Sequence, residues 1–316
     1  MTTGRVRYGT EVAAALRQAA PVVALESTII AHGLPRPDNL EVARRIEQTV
    51  RDHGAVPATI GMIDGDLVVG LDETELTRLA TTDGVAKLSV RDLGPAAVAR
   101  LDGATTVAAT SAIAATAGIK VFATGGLGGV HRDAAASFDE SADLVTLAHT
   151  PIVVVCAGVK SILDVGATLE RLETLGVPVV GYRTTRFPGF FITDSGHDLP
   201  WSVESPAQAA AVAQARQRQQ VSRSALVVAN PIPADEQLDP DWHDQVLAEG
   251  LAGLAQKQIT GKAVTPYLLA HFHETTGGAS LTVNVRIILR NAELAAQVAV
   301  ALAANGEPTP SAVDPT

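Results

Sequence analysis

Cys156 is the single cysteine of the chain, which excludes an intramolecular disulfide framework and a cysteine-built zinc cluster. A lone thiol suits a reducing cytosol, and a cytoplasmic location is the expectation. Clusters of Lys and Arg are missing as well. The 24 basic side chains face 34 acidic ones, a formal net charge of −10, whereas a phosphate backbone is held by clustered cations. No nucleic-acid partner is expected. No stretch reads as the roughly 18 apolar residues of a membrane span. The opening segment carries Arg5, Arg7 and Arg17 without the uninterrupted apolar run of a signal peptide. The chain therefore reads as soluble and unexported, with no membrane partner. Neither a fixed-period repeat nor a Pro- or Ser-rich linker divides it, so one domain over residues 1–305 is expected, with 306–316 as a disordered tail.

What is present is apolar: 47% of 316 residues are hydrophobic, enough for a large core. Short apolar runs alternate with helical patterns, which predicts an α/β fold, a single domain with a largely parallel central sheet flanked by helices. The runs are Val22–Leu25, Lys120–Ala123, Ile152–Cys156, Val177–Val180 and Ala225–Ala229. Thr59–Ile63 and Asp66–Leu71 flank Asp64-Gly65, a dipeptide suited to a type I′ turn, so a β-hairpin is expected there. Asp38 reads as a helix N-cap with Glu41 three residues on and Gly54 as the stop. Longer helices are expected over Ser161–Leu175, Pro206–Gln219, Trp242–Lys257 and Leu281–Ala304.

Four segments carry chemistry. Glu26 ends an apolar run, and burial there would raise its pKa and suit it to proton transfer near neutral pH; it could equally cap backbone N–H groups at a strand end. His32 follows closely and by itself carries little weight. Lys160 ends Pro151-Ile-Val-Val-Val-Cys-Ala-Gly-Val-Lys just before a helical pattern. A desolvated lysine there could attack a sugar aldehyde carbon; otherwise it reaches solvent or pairs with Asp164. In Thr124-Gly-Gly-Leu-Gly-Gly-Val-His-Arg the glycines let backbone amides approach an anion, or simply make a tight turn. The loop lacks a P-loop ending and the dinucleotide glycine spacing. Asp139, Glu140 and Asp143 offer hard oxygen ligands to Mg²⁺ or Mn²⁺, or are a solvated helix start. Lys87 is a phosphate ligand or a surface cation.

Together these segments resemble the pseudouridine-5′-phosphate glycosidases, the indigoidine synthase A-like family, over nearly the whole chain. The resemblance rests on Ala24-Leu-Glu-Ser-Thr-Ile-Ile-Ala-His-Gly-Leu-Pro, Gly103-Ala-Thr-Thr-Val-Ala-Ala-Thr, Phe122-Ala-Thr-Gly-Gly-Leu-Gly-Gly-Val-His-Arg and Val155-Cys-Ala-Gly-Val-Lys-Ser-Ile-Leu-Asp. It continues through Ala229-Asn-Pro-Ile-Pro, Val264-Thr-Pro-Tyr-Leu-Leu and Gly277-Gly-Ala-Ser-Leu-Thr-Val-Asn.

The resemblance implies an enzyme that reversibly cleaves the C–C glycosidic bond of pseudouridine 5′-phosphate to uracil and ribose 5-phosphate through a lysine–sugar imine. It implies Glu26 as general acid/base and Lys160 as nucleophile. Lys87, Thr106, Val107, Ser141, Ala142 and Asp143 would surround the sugar phosphate, His131 and Asn284 would recognise uracil, and Asp139 would bind one Mn²⁺ per subunit. A homo-oligomer, a trimer, is implied too. The chemistry agrees, because a C–C glycosidic bond has no heteroatom leaving group and simple acid catalysis would stall, whereas a lysine that adds to C1′ of a ring-opened sugar makes the paired carboxylates of ordinary glycoside hydrolysis unnecessary. A Schiff-base aldolase acting on a sugar phosphate and a non-catalytic phosphosugar-binding protein are the rival classes.

Overall fold

A computed structural model describes residues 4–259 and 264–304; the expected tail lies outside them. Among the described residues eleven strands form one sheet: β1 (Val6–Tyr8), β2 (Val22–Glu26), β3 (Val56–Ile63), β4 (Asp66–Val69), β5 (Ala86–Leu88), β6 (Gly103–Thr105), β7 (Val121–Ala123), β8 (Val153–Cys156), β9 (Val179–Tyr182), β10 (Ser202–Val203) and β11 (Leu226–Ala229). The main path runs β1-β4-β3-β2-β7-β8-β11-β9-β10, with β6 joining β3 and β5 joining β6. Pairing is parallel except where β3 meets β4 and β6. The α/β class and the hairpin are borne out: Ile63 pairs Asp66, and Asp64 and Gly65 both take positive φ, 51° and 86°. The central strands are apolar on both faces because helices cover both, as parallel sheets require.

Several boundaries move. The helix expected from Asp38 runs Asp38–Asp52, but Pro37 already has near-helical backbone angles and is the cap residue, and no side-chain cap bond forms. The expected helix from Ser161 begins only at Val165, because the Asp164 carboxylate accepts from the Ala167 amide and starts the helix there. Lys160 therefore sits on a turn between β8 and that helix. The strand placed at Val177–Val180 lies at Val179–Tyr182.

The helix Ala279–Ala304 corrects the expectation that no segment is long and apolar enough to cross a membrane, since it meets that test by length and composition. It is used otherwise. Ile288, Ala292, Ala295 and Val298 are buried, packed with Val23 and Leu25 of β2, Val121 and Ala123 of β7 and Val153 and Val155 of β8. On the opposite face Phe122, Val154, Leu144 and Leu147 are fully buried in the main core. Each such side chain contributes roughly 1.5–3 kcal/mol of transfer free energy.

Since β2, β7, β8 and β11 are successive parallel neighbours, their carboxyl ends lie side by side. Glu26 ends β2, Thr124 follows β7, the turn to Lys160 follows β8, and Asn230 follows β11. That edge is where open α/β sheets place their ligands.

Candidate active site

Glu26 keeps some accessible surface, yet protein surrounds its carboxyl closely enough that burial raises its pKa. The Lys160 charge and a hydrogen bond from the Thr124 hydroxyl oppose the rise, the Asp143 charge adds to it, and the Lys87 charge opposes it. Four groups that stand up to 134 positions from Glu26 in the chain, counting Glu26 to Lys160, thus meet in one electrostatic unit. No strand-end cap is made by Glu26 among the described residues; its hydrogen bond is to Thr124.

Lys160 is half-buried, with its backbone amide tied to the Leu127 carbonyl at 3.1 Å. The expected pairing with Asp164 does not form, because that carboxylate is occupied as a helix cap. Arg132 donates to the carbonyls of Ser161 and Ile162 at 3.2 and 3.4 Å and braces the turn that carries Lys160. Lys87 leaves β5 on the same side. Burial, then repulsion from Lys160, lower its pKa, and the charges of Glu26 and Asp143 pull it back. His32, on a π-type turn after β2 (Ile29–Gly33), stands near Lys87 and the backbone of Val85 and Ala86; burial first and the Lys87 charge second depress its pKa.

The glycine loop allows close approach of its neighbours. None of Gly125, Gly126, Gly128 and Gly129 has positive φ. A Cβ on Gly126 would meet the Phe190 ring at 2.6 Å, one on Gly128 the Ser141 hydroxyl at 2.3 Å, and one on Gly129 the Thr168 hydroxyl at 2.3 Å. Asp143, buried, explains the packing: its two oxygens accept from the Ala108 amide at 2.9 Å and the Gly128 amide at 2.8 Å. It joins the glycine loop to the start of the helix Val107–Thr116, where unpaired N–H groups welcome a carboxylate. Thr106 caps that helix, with Val107 buried behind it, and Ser141 caps the helix Ala142–Ala148, so both segments expected around a phosphate are helix starts.

The three acids expected as a cluster separate. Glu140 pairs with Arg171 at 2.9 Å, Asp143 is bonded to backbone, and Asp139 approaches only the His131 ring, at 3.9 Å. Among the described residues no three His, Cys, Asp or Glu side chains converge as a metal cage. The Asp139 carboxylate accepts no hydrogen bond from a described residue, so it fits a hard cation that takes one carboxylate and keeps its waters, not an all-protein site. Asn284, on the long helix, stands beside Gly125, 3.5 Å from the position a Cβ there would take. His131 points instead toward Asp139, so the two residues expected at uracil have different neighbours. Cys156 is buried and its thiol is pushed up to about 12, which removes it as a nucleophile.

Sequence reasoning gave no place to three residues that the structure links to Glu26 by hydrogen bonds: Thr124, Asn230 and Asn291. The signal for Asn291 was available in principle, since it is a polar residue on the apolar face of the longest helix, 1% exposed.

Comparison with known proteins gives the chain a family. Residues 11–301 match the model of the family described as indigoidine synthase A like protein. The chain is 73% identical over 304 residues to the pseudouridine-5′-phosphate glycosidase of Salinispora tropica, covering 96% of this chain and 94% of that one. It is 58% identical to the protein of the same name from Frankia alni, over 92% and 80% of the two chains. Among solved structures, the prealnumycin C-glycosynthase AlnA in complex with ribulose 5-phosphate superposes with a TM-score of 0.88 at 40% identity, over 95% of this chain and 97% of that one. An indigoidine synthase A-like protein from Thermotoga maritima gives 0.85 at 34% identity over the same shares.

Proposed function

The chain belongs to the indigoidine synthase A-like family, and from that premise we propose that it is a pseudouridine-5′-phosphate glycosidase, reversibly cleaving the C–C glycosidic bond to uracil and ribose 5-phosphate through an imine on Lys160. The observation that carries the reading is the meeting of Glu26, Lys160, Lys87 and Asp143 at the carboxyl edge of the sheet.

In this reading Lys160, as its neutral amine, adds to C1′ as the ring C–O bond opens, and the proton the nitrogen sheds on addition goes to the departing ring oxygen. Glu26, whose carboxyl burial makes harder to ionise, protonates uracil C5. The nitrogen lone pair then forms the imine as the C1′–C5 bond breaks, and water releases ribose 5-phosphate and the free lysine. Lys87, with the helix starts at Thr106-Val107 and Ser141-Ala142, would hold the phosphate, and Asp143, whose carboxylate already takes the Ala108 and Gly128 amides, would line the sugar beside them. Asn284, beside the glycine loop, and His131 would recognise uracil. Asp139 would hold one Mn²⁺ through its carboxylate and water, and the ion would supply positive charge to the sugar phosphate when bound. The single buried thiol suits a cytoplasmic enzyme, and family resemblance suits a homo-oligomer, a trimer.

Incubation with Mn²⁺, uracil and ribose 5-phosphate is expected to form pseudouridine 5′-phosphate, and the reverse cleavage to be catalysed too. Chromatography that finds neither direction, with folded protein and metal supplied, rejects the reading; turnover of the sugar phosphate without uracil favours an aldolase.

Asp139→Ala is expected to raise the Mn²⁺ concentration for half-maximal activity by on the order of tenfold or more. Its melting temperature should stay at the parent value, because the side chain makes no hydrogen bond that the fold would lose. Full activity at low metal would remove Asp139 as the ligand.

A further inference from the structure

The residues that hold Glu26 form a chain of their own, reaching from the long helix to the carboxyl. Asn230 Nδ2 donates to Asn291 Oδ1 at 3.0 Å. Asn291 Nδ2 donates to the carbonyls of Thr124 at 2.8 Å and Gly125 at 3.3 Å. Both ends are anchored on β8: the Asn230 amide donates to the Cys156 carbonyl at 2.8 Å, and the Thr124 amide to the Val155 carbonyl at 3.0 Å. With its N–H and carbonyl both engaged, Thr124 has one polar group left, the hydroxyl, and this donates to Glu26 Oε1.

Thr124 is fully buried and β-branched, so its χ1 has little freedom and the hydroxyl is fixed in direction before any ligand binds. Glu26 Oε2, in contrast, accepts nothing from the described residues. A carboxyl with one oxygen taken by a donor carries its proton on the other.

We propose that Thr124, clamped by the Asn230–Asn291 amide pair, is the positioning residue of the general acid: it occupies Oε1 and so directs the transferable proton onto Oε2. The proposal rests on Glu26 acting as the acid/base of the reaction proposed above. It also gives a role to Asn230 in the Asn-Pro-Ile-Pro segment, which that reaction otherwise leaves without one. The charged groups around the carboxyl are Lys160, Lys87 and Asp143, and none of them is changed by substitution at Thr124.

The test compares Thr124→Val, which keeps the shape and loses the donor, with Thr124→Ser, which keeps the donor. Thr124→Val is expected to lower kcat for cleavage by about 10- to 100-fold with little change in KM, the loss typical of a supporting shell. Because the hydroxyl stabilises the charged carboxylate, its removal should move the Glu26 limb of the pH–rate profile upward by about one pH unit. Thr124→Ser should return both to near the parent values, and the adduct trapped on Lys160 with ribose 5-phosphate should form in all three proteins. Asn291→Ala, which frees the Thr124 carbonyl but spares the hydroxyl, should shift kcat and profile the same way by less.

An unchanged profile in Thr124→Val, a Thr124→Ser protein as impaired as Thr124→Val, or adduct loss in step with turnover each overturns the proposal. An Asn291→Ala protein identical to the parent overturns the clamp, and it serves as the deciding variant if Thr124→Val does not fold. The Glu26 titration is also followed without substrate, by the infrared carboxyl band that Glu26→Gln removes. If the parent turns over nothing while that band still moves upward in Thr124→Val, the reaction assignment is lost and the positioning contact stands. If the band does not move, the contact is lost whatever the activity.

Discussion

Borohydride added in the presence of ribose 5-phosphate is expected to leave a reduced sugar phosphate on the peptide that contains Lys160, and Lys160→Ala to lose both adduct and turnover. The loss of turnover should be on the order of 10⁴-fold or more, as for removal of other covalent nucleophiles. The chain offers three lysines near apolar runs, and the structure separates them. Lys120 precedes β7, whereas Glu26 ends the parallel neighbour β2, so Lys120 lies at the opposite edge of the sheet, in a groove with Leu16, Val22 and Leu302. Lys87 shares the Glu26 environment but leaves the short strand β5. Lys160 stands on a turn whose carbonyls are held by Arg132 and whose amide is tied to the glycine loop, which fixes the side chain's origin. Mass spectrometry of the digested, reduced protein decides. An adduct on Lys87, with Lys160→Ala still active, would assign the nucleophile to the wrong lysine.

Glu26→Gln is expected to lower turnover by roughly 10²–10⁴-fold, the range of general acid–base catalysis, while the Lys160 adduct still forms from ring-opened ribose 5-phosphate. It should also change stability, and the sign follows from burial. A carboxyl whose folded-state pKa is raised favours the folded state while protonated; that contribution is present below the ordinary carboxylate range and is lost as pH rises through the raised value. Glutamine does not ionise, so the variant should melt above the parent near pH 8, with the difference smaller near about pH 4. Calorimetry at both pH values reads this directly. A variant that melts below the parent at the higher pH would mean that the Lys160 charge and the Thr124 hydroxyl outweigh burial. Retained turnover would remove Glu26 from the reaction.

Much of the fold was legible because its causes are local. The Asp64-Gly65 turn joins β3 to β4 as its chemistry requires, and Pro206–Gln219 is helical over the expected span, behind a Ser205 cap. Boundaries slipped where a single side chain chose the start: Asp164 begins its helix four residues after Lys160 and leaves the lysine on a turn. The glycine loop was harder to read. Its residue types fit an anion cradle, but the Asp143 carboxylate takes the Gly128 amide, and the ring of Phe190 needs the space a Cβ would fill.

The sequence by itself determined the central strands, the hairpin turn and several of the covering helices, because hydrophobic period and turn chemistry act between near neighbours in the chain, whereas the short strands β1, β5, β6 and β10 carried no such signal. It also marked Glu26 and Lys160 as polar groups at the ends of apolar runs. Only the tertiary structure decided which of these groups act on one another. The order β2-β7-β8-β11 brings Glu26, Thr124, Lys160 and Asn230 to one edge, and the helix over that sheet brings Asn291 to the Thr124 carbonyl, 167 positions away. Burial, charge coupling and hydrogen bonding depend on separation in space, and strand order, not spacing in the chain, sets that separation.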